Sequence, residues 1–391
     1  MDKTSSLYIH IPFCISKCAY CDFFSRAQGN KIPDSYISAL CNEITYRINL
    51  YKISELKTIY VGGGTPSLLS ENQIITLFNH IKSKVKLSPS AEITVEVNPD
   101  DVNQKLLEVF DSCGVNRISC GIQSMNDKAL KAAYRRADAF TNRNALELLR
   151  KFWKHEVSVD LISGLPGDDE KTLLASLREV CGIKPAHVSL YSLTIEEETP
   201  FGKMLSSGTL DYDFDEADKV WLSGRDFLEK CGYKWYEVSN FCREGFECRH
   251  NLAYWTHSGY LGCGSGATGT VYKEDGTGFR WTDTQNVENY IDFWNKNDDF
   301  QNICMVQNEE AIDAETSGFE FFMMSLRKTS GFAASEYENI FGKRLPEKFI
   351  ELFESWQKKG LCQIQNQKDD VRYSMSRQGM LVLNRFLVEL C

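Results

Sequence analysis

The chain contains 391 residues, of which 42% are hydrophobic and 25% are charged, and its formal net charge is −10. This length and composition are typical of a globular protein with one large α/β domain and a smaller second domain. The absence of any run of about eighteen apolar residues argues against a membrane span, and the acidic balance without a long basic run argues against general nucleic-acid binding.

Strands and helices alternate along the first half of the chain. Six apolar or β-branched segments are predicted as strands, at residues 7–11, 58–61, 92–97, 117–122, 157–162 and 187–194. Segments with apolar residues at helical spacing follow them, at residues 36–53 with Asp34 as N-cap, 71–85, 104–113, 142–153, 171–181 and 215–231. This alternation predicts parallel strands joined by right-handed crossovers.

Both a doubly wound sheet and a barrel satisfy this alternation. Five residues suited to ligand binding lie at or near the carboxyl ends of predicted strands: Gly63, Glu96, Gln123, Asp160 and Tyr191. In barrels, that face builds the active site. We therefore predict an α/β fold with a partial (β/α)6 TIM-like barrel, whose open mouth suits a large substrate.

The pattern changes after residue 212. A strand at 233–238 precedes an irregular stretch that holds residues 248–255, and a glycine-dense turn follows at 259–269. Beyond residue 286 the chain is predicted to be mainly helical, with a small hairpin of residues 360–364 and 371–374. The predicted regions are a barrel (1–212), a barrel extension (213–285) and a helical C-terminal domain (286–391), for which a winged-helix-like form is one option.

Fourteen cysteines are spread over the chain. Disulfide scaffolds are typical of short secreted proteins, and residues 1–4, Met-Asp-Lys-Thr, lack the basic-then-apolar order of a signal peptide. We therefore expect reduced thiols in a cytoplasmic protein. Single cysteines in apolar surroundings are predicted to be small core residues, namely Cys41, Cys113, Cys120, Cys181, Cys231 and Cys304.

Cys14, Cys18 and Cys21 are different, because three thiols within eight residues have no packing explanation. A structural zinc site is closed by four ligands, and no Cys or His occurs between Cys21 and Cys41. A cubic iron–sulfur cluster is also held by cysteine thiolates, usually four. With three, one iron keeps an open coordination position, at which another molecule is expected to bind.

This cysteine motif, with Tyr20 before its third cysteine and the sequence Gly-Gly-Gly-Thr-Pro at 62–66, resembles the radical S-adenosylmethionine (SAM) superfamily. The resemblance implies a [4Fe–4S] cluster on the three cysteines, whose open iron chelates the methionine part of SAM. In that family an electron from the cluster cleaves the sulfonium to a deoxyadenosyl radical. Glycines let the backbone approach a ligand closely, although a lone glycine run is equally typical of a flexible turn.

Further motifs are similar to the coproporphyrinogen-oxidase-type branch of that superfamily. They lie at residues 10–14, 62–67, 96–99, 116–119, 121–124, 160–166 and 191–194. By this resemblance, the cluster-bound SAM is contacted by Tyr8, Tyr20, Gly63 and Glu96. The positions that hold a second SAM in the oxidase match Gly64, Thr65, Gln123, Arg135 and Asp160.

The residue types at these positions fit SAM chemically. Carboxylates suit ribose hydroxyls or a sulfonium, and an arginine suits a carboxylate. The alternative for Arg135 is a solvated helix face. The alternative for Glu96 and Asp160 is a structural partner, since an unpaired buried carboxylate is costly.

Two features narrow the resemblance. Oxygen-independent coproporphyrinogen III oxidases carry a further cysteine two positions after the third ligand, where this chain has Phe23. Residues 250–255, His-Asn-Leu-Ala-Tyr-Trp, match the His-Asn-x-x-Tyr-Trp signature of the HemW heme chaperones. The resemblance to that family implies a protein that binds heme and transfers it to an acceptor protein.

His250 is the candidate heme ligand, with Tyr254 and Trp255 flanking the macrocycle and Cys248 as another candidate. The alternative is that His250 only forms hydrogen bonds inside the barrel mouth and holds its segment in place. Thr268 stands where HemW-like sequences often have a histidine, which weakens the resemblance there. His10 is expected to be structural or to shield the cluster.

The sequence therefore predicts a radical SAM-type heme chaperone with a [4Fe–4S] cluster, SAM and heme. The first rival is an oxidase that decarboxylates coproporphyrinogen III propionates by hydrogen abstraction, which Phe23 disfavours. The second rival is a structural metal-binding protein such as a zinc module. The sequence leaves open the acceptor protein, a homodimer, a peripheral contact with a membrane, and whether SAM is cleaved in turnover.

Overall fold

The structure is a computed structural model that describes residues 5–27, 29, 31–296, 303–368 and 370–390. Residues 1–4, on which the signal-peptide expectation rests, lie outside the described residues. None of the described helices is both long and apolar enough to cross a membrane.

The first half of the chain alternates between strands and helices, as the sequence predicts. Its elements are β1 (Ser6–Ile11), β2 (Phe13–Cys14), β3 (Arg26–Ala27), α1 (Asp34–Leu50), β4 (Glu55–Gly63), α2 (Glu71–Lys84), β5 (Lys86–Val97), α3 (Gln104–Ser112), β6 (Arg117–Gln123), α4 (Asp127–Ala132), α5 (Ala139–Phe152), β7 (Glu156–Ser163), α6 (Glu170–Ile183), β8 (His187–Ser192) and α7 (Pro200–Ser206).

The second half adds short strands and further helices. Its elements are α8 (Phe214–Lys230), β9 (Lys234–Glu237), β10 (Asn240–Cys242), α9 (Arg249–Trp255), β11 (Tyr260–Cys263), β12 (Thr268–Tyr272), β13 (Gly278–Asp283), α10 (Val287–Lys296), β14 (Gln307–Ile312), α11 (Ala314–Ser325), β15 (Phe332–Ala333), α12 (Ala334–Phe341), α13 (Glu347–Lys358), β16 (Cys362–Gln367), β17 (Asp370–Met375), α14 (Arg377–Leu381) and α15 (Leu383–Leu390).

The main sheet is built on six parallel strands in the order β1-β4-β5-β6-β7-β8. Beyond β8 it continues through antiparallel β10 and β9. Beyond β1 it continues through β11, which is parallel to β1, and then through antiparallel β12, β13 and β14. Because β14 and β9 stand at opposite ends of this order, the barrel is open. The predicted partial barrel is confirmed.

Three local expectations are wrong. Asp34 is the first residue of α1 rather than its N-cap, and its carboxylate accepts a hydrogen bond from Gln73 at 2.7 Å. The stretch after Cys248 is not irregular but forms the helix α9. The glycine-dense turn contains β11 and the start of β12, and there Gly262 has no room for a side chain because the backbone of Thr268 lies against it.

Two large apolar clusters stabilise the described chain, and a smaller third cluster includes Ala19, Leu165 and Phe201. The larger one fills the space between the barrel strands and the helices around them, and includes Leu7, Ile59 and Ile118 at 0% exposure. The second is rich in aromatic rings and lies within residues 321–390, where Phe322 and Phe349 stack with their centroids 4.2 Å apart. The hairpin predicted in this part of the chain is confirmed as β16 and β17.

The single cysteines only partly follow expectation. Cys41, Cys113 and Cys120 are buried, as predicted for small core residues, and Cys181 is half-buried. Cys231 and Cys304 are exposed, so their prediction is wrong. The apolar neighbours of Cys231 in the sequence belong to the inner face of α8, which ends just before it.

Candidate functional site

A cavity of about 370 Å³ opens at the carboxyl ends of β4 to β8, the face on which TIM-like barrels build their active sites. We call this region the barrel mouth. Of the residues predicted from the sequence, its lining contains Cys14, Cys18, Tyr20, Cys21, Gly63, Gly64, Thr65, Glu96, Gln123, Arg135 and Asp160. Tyr8 and His250 lie outside this lining.

The cysteine loop is held at its ends and in its middle. At the ends, β2 pairs with β3, and the Arg26 amide donates to the Pro12 carbonyl at 2.7 Å. In the middle, the Ala19 amide donates to the Ala133 carbonyl and the Ala19 carbonyl accepts from the Phe201 amide, both at 3.0 Å. These bonds join the loop to α4 and α7, so its backbone has a defined course across the mouth.

Two of the three thiols of the loop have side-chain donors beside them. The Thr65 hydroxyl donates to the Cys14 sulfur at 3.4 Å, and the Arg135 guanidinium donates to the Cys18 sulfur at 3.6 Å. The thiolate is the form of cysteine that binds metal.

Two kinds of metal site place different demands on these cysteines. A zinc site requires its ligands at one point, whereas the thiolates of a cubic cluster each bind a different iron. Among the described residues, no three or more His, Cys, Asp or Glu side chains are grouped as ligands of a single metal ion.

The glycine run after β4 brings bare backbone to the cavity wall. Gly63 has φ +108°, and a Cβ there would lie 2.5 Å from the His10 ring. A Cβ on Gly64 would lie 2.7 Å from the Phe13 carbonyl oxygen. Both positions therefore require glycine, and the run is a shaped wall rather than a flexible turn.

Glu96 faces the same wall and has one donor at each carboxylate oxygen. The Tyr60 hydroxyl donates to Oε1 at 2.8 Å, and the Gly63 amide donates to Oε2 at 3.2 Å. Burial raises the pKa of Glu96 to about 7, with a further contribution from the charge of Asp160, while the two hydrogen bonds act in the opposite direction. Two free lone-pair directions remain for a ligand.

Arg135 lies in the turn after α4 and reaches into the cavity, so it does not occupy a solvated helix face. It donates to the Gly121 carbonyl at 2.6 Å and to the Asn98 side chain at 2.9 Å. Its Nε and the Oε1 of Gln123 are buried without a partner among the described residues. Unpartnered polar atoms in a cavity wall point to a ligand that satisfies them.

Asp160 is held by three serine hydroxyls from three strands. Ser189 and Ser158 donate to its Oδ1 at 2.7 and 3.3 Å, and Ser119 donates to its Oδ2 at 2.8 Å. Burial raises the pKa of Asp160, and these hydrogen bonds oppose that rise. The carboxylate is therefore oriented by structural partners and also lines the cavity.

Tyr8 and His10 lie beneath the cysteine loop. His10 Nε2 donates to the Phe24 carbonyl at 2.9 Å, so Nδ1 accepts from the Tyr8 hydroxyl at 2.9 Å. Burial lowers the pKa of His10, and the bond to Phe24 partly offsets that effect. The two hydrogen bonds hold the His10 ring beneath the end of the cysteine loop.

His250 lies toward the amino ends of the strands. We call this region the barrel floor and define it by Thr58, Glu92, Cys248 and His250. It is 1% exposed. Its Nδ1 and Nε2 form hydrogen bonds with the hydroxyls of Thr58 and Tyr254, both at 2.8 Å. Glu92 accepts from the amides of Arg249 and His250 at 2.9 Å each and thereby caps α9.

Several residues in or next to the mouth were not predicted from the sequence. They are Tyr60, Asn98 and the serines at 119, 158 and 189. Asn98 directly follows β5, so its position at a carboxyl end offered a signal, whereas Tyr60 lies within β4 and each serine is the third residue of its strand. Single polar residues in strands are common, however, and their convergence on Glu96 and Asp160 depends on strand register. Thr268, where relatives often have histidine, pairs with the Thr282 hydroxyl at 2.9 Å, away from the cavity lining.

Known sequences and structures resemble this chain along most of its length. Residues 8–180 match the family model described as the Radical SAM superfamily. The chain is 36% identical to the heme chaperone HemW of Escherichia coli (strain K12) over 82% of each chain, and 34% identical to that of Bacillus subtilis (strain 168) over 97% of each. Coproporphyrinogen III oxidase (HemN) of Escherichia coli superposes with a TM-score of 0.77, covering 100% of this chain and 90% of its own, at 20% identity. At that identity the likeness shows the fold alone.

Proposed function

The chain belongs to the HemW family of heme chaperones within the radical SAM superfamily, and from this premise we propose that it binds heme at the barrel mouth and transfers it to an acceptor protein. The observation that carries the proposal is the combination, on one cavity, of three cysteines with an apolar aromatic rim. Each part of the mouth has a separate task.

Cys14, Cys18 and Cys21 would hold a [4Fe–4S] cluster, which supplies an electron donor and an open coordination position when it is bound. The residues around it would bind SAM. Glu96 accepts hydrogen bonds from ribose hydroxyls, and the bare backbone at Gly63 and Gly64 lets the ligand lie against the wall.

On the far wall, Arg135 and Gln123 provide the unpartnered polar atoms described above, and Asp160 provides an oriented carboxylate. A guanidinium fits the carboxylate of an amino-acid ligand, and a carboxylate fits a hydroxyl or a cation. These residues would hold further polar groups of a SAM molecule.

Heme would lie on the rim of the mouth rather than deep inside it. A cavity of about 370 Å³ is at the small end of the range for ligand sites, roughly 300–1,000 Å³, so a cluster and SAM would occupy most of it. Phe23 is 70% exposed and Tyr191 is 42% exposed on the rim. Such exposed aromatic rings suit the apolar face of a porphyrin, and Lys17 on the same lining suits a propionate.

Titration of the reconstituted protein tests the proposal. The full chain is reconstituted anaerobically with iron and sulfide, and hemin is then added with and without SAM while the Soret band is followed. We expect a saturable Soret shift with one heme per chain, and loss of the heme to apomyoglobin as a model acceptor. A protein that carries the cluster but produces no Soret shift would overturn the heme assignment.

The same preparation tests the oxidase alternative. Coproporphyrinogen III, SAM and a reductant are supplied anaerobically, and protoporphyrinogen formation is measured. We expect no product at a catalytic rate, because Phe23 stands where the oxidase has a further cysteine. Catalytic turnover would show that the protein is an oxidase and not only a chaperone.

A further inference from the structure

We infer that His250 is a positioning residue that acts through Tyr60 on the carboxylate of Glu96, and so controls SAM binding rather than ligating heme. The inference rests on the proposed binding of SAM beside Glu96. It assigns a task to the His-Asn-x-x-Tyr-Trp segment from contacts in the barrel interior.

The first step is that the His250 ring is fixed. Thr58 on β4 and Tyr254 on α9 occupy its two nitrogens at 2.8 Å each. The start of α9 is fixed in turn, because Glu92 on β5 accepts from the first two amides of the helix. The ring therefore joins α9 to the inner face of the strands.

The second step is the contact with Tyr60. The His250 and Tyr60 rings stack with centroids 5.1 Å apart and planes inclined by 27°. Tyr60 also stacks with Tyr8 at 6.3 Å and 28°, in keeping with their register on neighbouring strands. Because Tyr60 packs against the rings of both His250 and Tyr8, the rotation of its side chain is restricted.

The third step leads to the cavity wall. The Tyr60 hydroxyl donates to Glu96 Oε1 at 2.8 Å, and Gly62 makes room for this pair, since a Cβ there would lie 2.9 Å from the Tyr60 ring and 3.0 Å from the Glu96 carboxylate. Glu96 lines the mouth, whereas His250 does not. The chain His250–Tyr60–Glu96 therefore runs from the barrel floor to the proposed SAM site.

The same contacts disfavour axial ligation of heme by His250. A heme ligand must offer a ring nitrogen with a free lone pair to a large planar group. Both nitrogens of His250 are engaged, the side chain is 1% exposed, and Tyr60 covers one face of the ring. Heme could reach it only after one of these hydrogen bonds breaks and α9 moves out of the barrel.

The test compares variants of the reconstituted full chain by two dissociation constants, that of SAM from equilibrium dialysis and that of hemin from Soret titration. Tyr60→Phe keeps the ring and removes only the donor to Glu96, so we expect SAM binding about tenfold weaker. His250→Ala removes the support of Tyr60, and we expect a loss of about three- to tenfold. The hemin dissociation constant should stay within about twofold of wild type in both.

Two further variants separate positioning from a general loss of structure. His250→Phe keeps a ring against Tyr60, and its SAM affinity should lie between those of wild type and His250→Ala. In the Tyr60→Phe background, His250→Ala should weaken SAM binding little further, because the two residues act through the same hydroxyl. If the losses of SAM affinity in the two single variants add up in the double variant, the inference is overturned.

The outcomes also distinguish this inference from the proposed function. A wild-type protein that binds no SAM or no heme refutes the proposed function. A wild-type protein that binds both, together with a His250→Ala variant that loses heme and retains SAM, overturns the inference and makes His250 a heme ligand. Should His250→Ala fail to fold, as judged by circular dichroism, the Tyr60→Phe and His250→Phe pair decides between these outcomes.

Discussion

The barrel mouth and the barrel floor are built from the same strands but satisfy their polar groups in opposite ways. At the floor, each side-chain nitrogen of His250 and each carboxylate oxygen of Glu92 has a partner within the protein. At the mouth, Arg135 Nε and Gln123 Oε1 are buried without a partner in the part of the chain that the structure describes, and the Phe23 ring is exposed. The difference indicates that the floor fixes its polar groups in place, whereas the mouth leaves polar atoms available to a ligand.

The largest effect that we expect is at the cysteine loop. Cys14→Ser, Cys18→Ser or Cys21→Ser should each abolish cluster assembly, because three ligands leave no substitute. Iron and sulfide content and the brown visible absorption after anaerobic reconstitution measure this. Cys231→Ser, at an exposed cysteine far from the motif in the sequence, should match the wild type, and a Cys14→Ser protein with normal iron content would refute the assignment.

A substitution at the floor should act on folding. Glu92→Ala removes the acceptor of the first two α9 amides, and we expect the free energy of unfolding, measured in urea, to fall by about 2–4 kcal/mol. Glu147→Ala, which breaks an exposed pair with Arg150, serves as the matched control and should cost less than about 1 kcal/mol. Equal losses in both variants would remove the distinction between floor and surface.

Glu96 provides a pH-dependent test of the mouth. Since burial raises its pKa from 4.5 to about 7, its contribution to stability is fully present below pH 4.5 and is lost as the pH rises toward about 7. Glu96→Gln removes this titration. Between pH 4.5 and pH 7.5, the unfolding free energy of the variant should therefore rise by about 1–3 kcal/mol relative to that of the wild type. The range is wide because Glu96 lines an open cavity.

Urea unfolding of both metal-free proteins at the two pH values measures this difference. Other carboxyl groups with a raised pKa, such as that of Glu237, titrate in both proteins, so their contributions to the difference largely cancel. Asp160 cancels less completely, because its charge and that of Glu96 affect each other. A pH-independent difference would mean that Glu96 has an ordinary pKa.

The smallest effect should appear at the rim. Phe23→Ser should change the free energy of unfolding by no more than about 0.5 kcal/mol, since the ring is 70% exposed. It should weaken hemin binding up to about tenfold through lost apolar contact. Phe140→Ser is a matched control, because Phe140 is 69% exposed and lies outside the cavity lining. Equal hemin affinity in the two variants would place heme elsewhere.

The sequence by itself determined the features that depend on local spacing. Three cysteines within eight residues predict a metal-binding loop without any tertiary information, because ligand count and spacing are local features of the sequence. The six βα units were equally readable, since apolar runs and helical periodicity are local signals.

Tertiary structure decided the features that depend on distant partners. The seven-residue helix α9 is too short to form alone, and its cap, Glu92, lies more than 150 residues earlier in the chain. Likewise, β11 is a strand because it pairs with β1, and Asp34 binds Gln73 instead of capping α1. The sequence marked His250 as important, but only the contacts with Thr58, Tyr254 and Tyr60 show that it is enclosed in the barrel. Such contacts arise when remote strands come into register, which no local pattern encodes.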